Sequence, residues 1–165
     1  MVRVGILTVS DRSADGQRPD LGGPIVRQTI AATGAEVVVA EIVSDDRAEI
    51  EARLCRYADE LQLDLVLTTG GTGVAPRDVT PDATLAVCQR EVPGLGEAMR
   101  AASLPKTPFA MLSRATAGIR GRTLVVNLPG SPKGARECLE AIQAVLPHAV
   151  ELIRGRDADH RPPSA

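Results

Sequence analysis

Short apolar runs rich in branched side chains alternate along this chain with stretches whose apolar residues recur every three or four positions, the signatures of strands and helices in turn. Residues 2–10 form a β-branched run that ends in the polar turn Ser10-Asp11-Arg12-Ser13 and predicts a first strand. After Leu21-Gly22-Gly23-Pro24 a helix is expected with Ile25, Val26 and Ile30 on one face and Gly34 at its end. Residues 36–43, with Val37, Val38, Val39 and Ile42, predict a second strand stopping at Ser44-Asp45-Asp46. A helix through Leu61 should follow, its buried stripe made by Ile50, Leu54, Tyr57, Ala58 and Leu61. Asp46 and Glu49 have capping-box spacing there, and with Asp46 as the cap, Asp45 is left free at the strand end.

Residues 63–67 are short, apolar and branched, as expected of a central strand buried on both faces of a parallel sheet. Beyond the loop that follows, Thr80, Pro81 and Asp82 read as N-cap, first helical position and first-turn acid of a helix running to Arg90. Val92-Pro93-Gly94-Leu95-Gly96 reads as a break, of a kind that can line a pocket, before helix resumes at Glu97. Two apolar runs flanking Arg120-Gly121 predict a hairpin, which adds an antiparallel strand. The second run ends at Asn127 and enters Leu128-Pro129-Gly130-Ser131-Pro132-Lys133-Gly134, ahead of a helix bearing Leu139, Ile142 and Leu146. The whole predicts one α/β domain over residues 1–154, a mostly parallel central sheet with a small antiparallel hairpin, and a flexible polar tail from 155 to 165.

The candidate chemistry gathers in the loops at strand carboxyl ends, where open α/β sheets bind ligands. Residues 68–81 place Gly70, Gly71, Thr72 and Gly73 between strand and helix, so the backbone can approach a ligand and present amides to an anion such as phosphate. The loop has neither the Lys-Ser/Thr of a Walker motif nor the spacing of a dinucleotide fingerprint. A plain tight turn is the competing reading, with Asp78 a solvated acid. Asp45 and Asp78, at the ends of strands expected to be neighbours, converge on the same sheet edge, and two carboxylates beside phosphates suit Mg²⁺. Asp11 reads equally well as a turn-forming residue or a ligand contact. Ser131 either binds an anion with the help of Lys133 or caps the helix ahead of Pro132.

Composition narrows the field further. A chain of 165 residues with 44% hydrophobic content can build one core, and a net charge of -2 with no Trp argues against a nucleic-acid partner. Cys55, Cys88 and Cys138 form no C-x-x-C pair and are expected as buried structural residues. No apolar stretch reaches membrane-span length and no secretory leader is apparent, so a cytoplasmic location is expected.

With these residues placed, the sequence resembles the MogA/MoaB family of molybdenum cofactor biosynthesis proteins. The markers are residues 69–73, residues 77–84, Pro93-Gly94, Leu112-Ser113-Arg114 and residues 127–133, within a match from about Val4 to Ile153. The resemblance implies a three-layer α/β/α sandwich, a homotrimer, molybdopterin binding and a molybdenum-insertion (MoeA-like) partner. It also implies adenylyl transfer from Mg-ATP to the terminal phosphate of molybdopterin with release of pyrophosphate; the alternative is a non-catalytic MoaB-type molybdopterin-binding or carrier protein. Carried over by position, Asp45 and Asp78 are the acidic pair that serves catalysis and Mg²⁺, and Gly70, Gly71, Thr72 and Gly73 line the nucleotide phosphates. Ser113, Arg114, Asn127, Pro129, Gly130, Ser131 and Lys133 fall on the molybdopterin side.

Overall fold

The computed structural model describes residues 1–155, and the tail expected beyond Gly155 lies outside the described residues. Six strands, β1 (Arg3–Val9), β2 (Glu36–Val43), β3 (Leu65–Thr69), β4 (Arg90–Glu91), β5 (Ala117–Arg120) and β6 (Thr123–Leu128), form one sheet in the order β2-β1-β3-β6-β5-β4. The first four in that order run parallel, β5 pairs antiparallel with β6, and β4 pairs antiparallel with β5. The expected hairpin is β5 and β6, turned by Gly121 at φ +55, where a side chain would be strained. All of β3 is buried, as a strand flanked by β1 and β6 and covered on both faces must be.

Helices cover both faces. On one face α2 (Gly22–Ala31), α5 (Pro93–Ser103), α6 (Pro132–Ile142) and α7 (Leu146–Ile153) bury Val26, Ile30, Met99, Leu139 and Leu146 against Ile6, Leu67 and Val126. On the other, α3 (Arg47–Cys55) and α4 (Thr80–Val87) bury Ile50, Leu54 and Ala83 against Leu7, Val66 and Val125. The alternation of neighbours such as Leu65, Val66 and Leu67 between the two cores is the period of two of an extended strand. Asp46 caps α3 by accepting the Glu49 N–H at 2.9 Å; the Glu49 carboxylate accepts from Ser44 Oγ, so only half of the expected box closes. A π-helical turn over Arg56–Glu60 continues α3 and seats Tyr57 in the core, its hydroxyl donating to Glu41.

Three expectations are corrected. The helix expected after Pro24 begins two residues earlier, because the Asp20 carboxylate accepts the Gly23 N–H and closes its first turn. The helix expected to reach Arg90 stops at Val87, since Arg90 and Glu91 leave it to pair with β5. The break expected at residues 92–96 is the first turn of α5, where Pro93 gives up an N–H that has no intrahelical partner anyway and Gly96 lets the helix approach the Ala115 carbonyl. Of the cysteines, Cys138 is buried while Cys55 and Cys88 are half-buried, and burial pushes the Cys88 thiol up to about 11.

Candidate functional site

Parallel β2, β1, β3 and β6 end at one edge of the sheet, and their four loops enclose a cleft of about 620 Å³. Asp45 from the β2 loop, Asp11 from the β1 loop, and Gly70, Gly71 and Asp78 from the β3 loop all line it, as do Gly130 and Ser131 from the β6 loop. Asp45 and Asp78 therefore do converge. They do so across β1, because β2 and β3 are not neighbours in the sheet as the sequence suggested.

Asp45 is locked by Asp11. The Asp11 N–H donates to Asp45 Oδ2 at 2.8 Å, and the Asp45 N–H donates to Asp11 Oδ1 at 2.9 Å. Arg77, from the glycine loop, then grips Asp11 with both Nε (2.6 Å) and a terminal nitrogen (2.8 Å), the fork geometry that guanidinium and carboxylate share. Asp11 thus begins the short α1 (Asp11–Ala14) as a partner of another acid rather than as a simple turn former. Its carboxyl is held below the ordinary range, mainly by the Arg77 hydrogen bond. The Asp45 carboxyl is raised, chiefly by burial, with the Asp11 and Asp78 charges adding to it.

The glycines make room for these acids. A methyl group on Gly71, which sits at φ +64, would collide with Thr80 Oγ1 and lie 3.2 Å from Asp45 Oδ1; one on Gly73 would lie 2.8 Å from Asp78 Oδ2. Asp78 Oδ2 accepts the Ala75 N–H at 2.9 Å. Each acid thus commits Oδ2 to a backbone N–H, and Oδ1 of each has no hydrogen bond among the described residues. Thr80, expected as the helix cap, lies one position inside α4, and its hydroxyl donates to the Gly70 carbonyl at 2.9 Å to brace the loop.

Arg114 was expected to meet the pterin but braces the same loop from behind. Its backbone N–H donates to Thr72 O at 2.8 Å, its Nε to Gly73 O at 2.9 Å and a terminal nitrogen to Asp78 O, while the fork also grips Asp82. Thr72 and Gly73 accordingly stand behind the cleft wall, with Gly70 and Gly71 on it. Asn127 is likewise enclosed. It is wholly buried, donating to Thr68 Oγ1 (3.0 Å) and Thr84 Oγ1 (2.8 Å), so its side chain ties β3 to α4 rather than facing the cleft.

Of the two readings of Ser131, the structure shows the helix cap. Its Oγ accepts the Gly134 N–H at 3.1 Å, capping α6, and the residue also lines the cleft. A smaller cleft of about 220 Å³ lies beyond it, lined by Ser113, Pro129 and Ser131 together with Arg100, Lys106 and Phe109. Lys133 is exposed and lines neither. The two clefts meet at Ser131, and a methyl group on Gly130 would lie 3.2 Å from the Gly70 Cα, so the β3 and β6 loops touch backbone to backbone. Thr69 Oγ1 donating to Pro129 O at 2.7 Å joins them again.

Sequence reasoning missed Arg12, Arg18 and Asp20. The two arginines are the basic side chains lining the larger cleft among the described residues; Asp20 accepts from Thr8 Oγ1 at 2.8 Å and anchors the same loop to β1. Arg12 was within reach, since it stands beside Asp11 just past a strand's carboxyl end. The amides of Gly71, Gly130 and Ser131 donate no hydrogen bond among the described residues and remain available to an anion. No group of three or more His, Cys, Asp or Glu side chains could cage a metal among the described residues. Two carboxylates with a free oxygen each still fit Mg²⁺, which takes few protein ligands beside waters and substrate phosphates.

A family model described as a probable molybdopterin binding domain matches residues 5–148. The molybdopterin adenylyltransferase of Helicobacter pylori (strain J99 / ATCC 700824) is 47% identical over 156 residues, covering 93% of this chain and 89% of that one. The molybdopterin adenylyltransferase of Escherichia coli (strain K12) is 43% identical, with 93% and 86% covered. The solved structure of the molybdopterin biosynthesis enzyme MoaB from Thermus thermophilus superimposes with a TM-score of 0.90 at 55% identity, covering 94% of this chain and 98% of that one. With its fold, its sheet-edge loops and nearly all of its length matched in this way, the chain belongs to the molybdopterin-binding domain family of molybdenum cofactor biosynthesis.

Proposed function

We propose that this protein is a molybdopterin adenylyltransferase that moves AMP from ATP to the terminal phosphate of molybdopterin. An oxygen of that phosphate attacks the α-phosphorus of ATP, one phosphorus–oxygen bond forms, the bond to the β-phosphate breaks, and pyrophosphate leaves with the electron pair. The observation that carries the reading is the pair Asp45 and Asp78, each presenting one uncommitted carboxylate oxygen to a cleft floored by glycine backbone. Bound there by these two aspartates, Mg²⁺ would neutralise charge on the triphosphate. The chain's own residues do the rest. The free amides of Gly71, Gly130 and Ser131 and the guanidiniums of Arg12 and Arg18 hold phosphate oxygens, and the smaller cleft beside Ser113, Pro129 and Ser131 takes the pterin. Adenylyl transfer asks for in-line positioning and charge neutralisation, and no protein nucleophile is needed.

The adenylyltransferase names of relatives at 43–47% identity favour this reading over a non-catalytic carrier. Purified protein given molybdopterin, ATP and Mg²⁺ should yield adenylylated pterin and pyrophosphate; pterin binding without Mg²⁺-dependent turnover would select the carrier. The homotrimer, the cytoplasmic location and the molybdenum-insertion partner implied by the resemblance belong to the same proposal. Light scattering tests the first, fractionation the second and co-purification the third. No helix among the described residues is long and apolar enough to cross a membrane.

A further inference from the structure

Asp11 has no part in the chemistry just described, yet it touches both elements that carry the acids. It exchanges two hydrogen bonds with Asp45, each backbone N–H meeting the other's carboxylate, across 34 residues of sequence. The same carboxylate receives the two-pronged grip of Arg77, which is next to Asp78 in the chain. Because Asp45 Oδ2 is spent on the Asp11 N–H, the turn of its carboxylate is fixed and Oδ1 is the oxygen left over Gly71. Because Arg77 holds Asp11 from the opposite loop, the separation between the β2 and β3 loops is fixed through it as well.

We propose that Asp11 and Arg77 form a clasp that positions Asp45 relative to Asp78, so that one cation can be shared by the two acids. Asp11 and Arg77 are positioning residues in this scheme, acting on the cation through Asp45 and Asp78. The inference rests on the adenylyl-transfer reading and adds to it the residues that set the spacing of the acids. A shell that orients ligating carboxylates characteristically governs cation affinity more than the binding of the remaining substrate.

The test compares Asp11→Ala, Asp11→Asn and Arg77→Ala with the wild type. Asp11→Ala should raise the Mg²⁺ concentration for half-maximal ATP binding, read by calorimetry, and lower kcat, each by about tenfold or more, the usual cost of losing such a partner. The KM for molybdopterin should stay within about twofold, since the clasp lies away from the smaller cleft. Asp11→Asn keeps an oxygen for the Asp45 N–H and should recover much of the loss, whereas Arg77→Ala should fall between the two. Hydrogen exchange gives a readout independent of turnover: the Asp45 amide should lose protection in Asp11→Ala and keep it in Asp11→Asn. Wild-type Mg²⁺ dependence with an unaltered Asp45 amide in Asp11→Ala would overturn the clasp. So would a general loss of stability that lowers molybdopterin binding and kcat together. A wild-type protein that makes no adenylylated pterin overturns the underlying reading instead, and does so before any variant is compared.

Discussion

Two clefts of nearly equal size sit at opposite ends of the sheet, and they differ in how far their polar groups are answered. The one at the carboxyl ends of the strands measures about 620 Å³; the other, beside Arg3, Asp64, Arg122 and Arg154, about 560 Å³. At the far end the charges answer one another. Arg154 pairs with Asp64 at 2.6 Å, Arg120 with Asp59 at 2.5 Å, and Arg3 donates to the Leu61 and Gln62 carbonyls. At the near end, among the described residues, Asp45 and Asp78 each keep a free oxygen, three amides have no acceptor, and Arg12 and Arg18 line the same space. Volume does not distinguish a site from a crevice; unmet hydrogen-bonding and charge do.

That contrast breaks most sharply at Asp78. Replacing it by Asn keeps the shape and removes the charge, and turnover should fall about a hundredfold or more, a barrier change of about 3 kcal/mol. Steady-state pyrophosphate release checks this, and wild-type rates would return Asp78 to the status of a solvated acid. The far cleft should respond in the opposite sense. Asp64→Ala strands the Arg3 N–H and leaves Arg154 with Glu151 alone among the described residues, costing about 2–3 kcal/mol of stability and about 5–10 °C in Tm, with kcat per folded molecule unchanged. Loss of activity beyond the folded fraction would mean that the two ends are coupled.

Gly71→Ala sharpens the comparison within the near cleft. Its φ of +64 and the crowding by Thr80 and Asp45 should cost about 1–2 kcal/mol of stability, read by denaturant unfolding, and should weaken Mg-ATP binding along with it. The smallest effect is pH-dependent. Asp82 lies below its ordinary 3.8 chiefly because Arg114 donates to it, so its contribution is complete above that value and is lost as pH falls through the lowered one. Arg114→Met should therefore melt below the wild type at neutral pH, and the gap should narrow as the pH falls below 3.8.

The strands and the site's acids were legible in the sequence for the same reason: both are local. Branched apolar runs marked β1, β2, β3 and β6, and the polar residue after each run marked the sheet edge where Asp45, Asp78, Gly70, Gly71 and Ser131 meet. β4 left no trace, being only Arg90 and Glu91, both exposed. Three residues expected on the pterin side line neither cleft, and for one cause. Arg114, Asn127 and Lys133 have the residue types of a phosphate or pterin site, but whether such a side chain faces a ligand depends on partners far along the chain. Arg114 finds Asp82 and the Gly73 carbonyl, Asn127 finds two threonines, and Lys133 points to solvent. Arg77 was visible as the neighbour of Asp78, but nothing local linked it to Asp11, 66 residues away.

The abutment of Gly70 on Gly130 bears on how this protein can change over time. Main chain meets main chain where the two clefts adjoin, so a side chain added at Gly130 would press on the Gly70 Cα and push the β3 and β6 loops apart. Substitutions elsewhere in the lining can retune what each cleft admits while leaving that spacing to the scaffold.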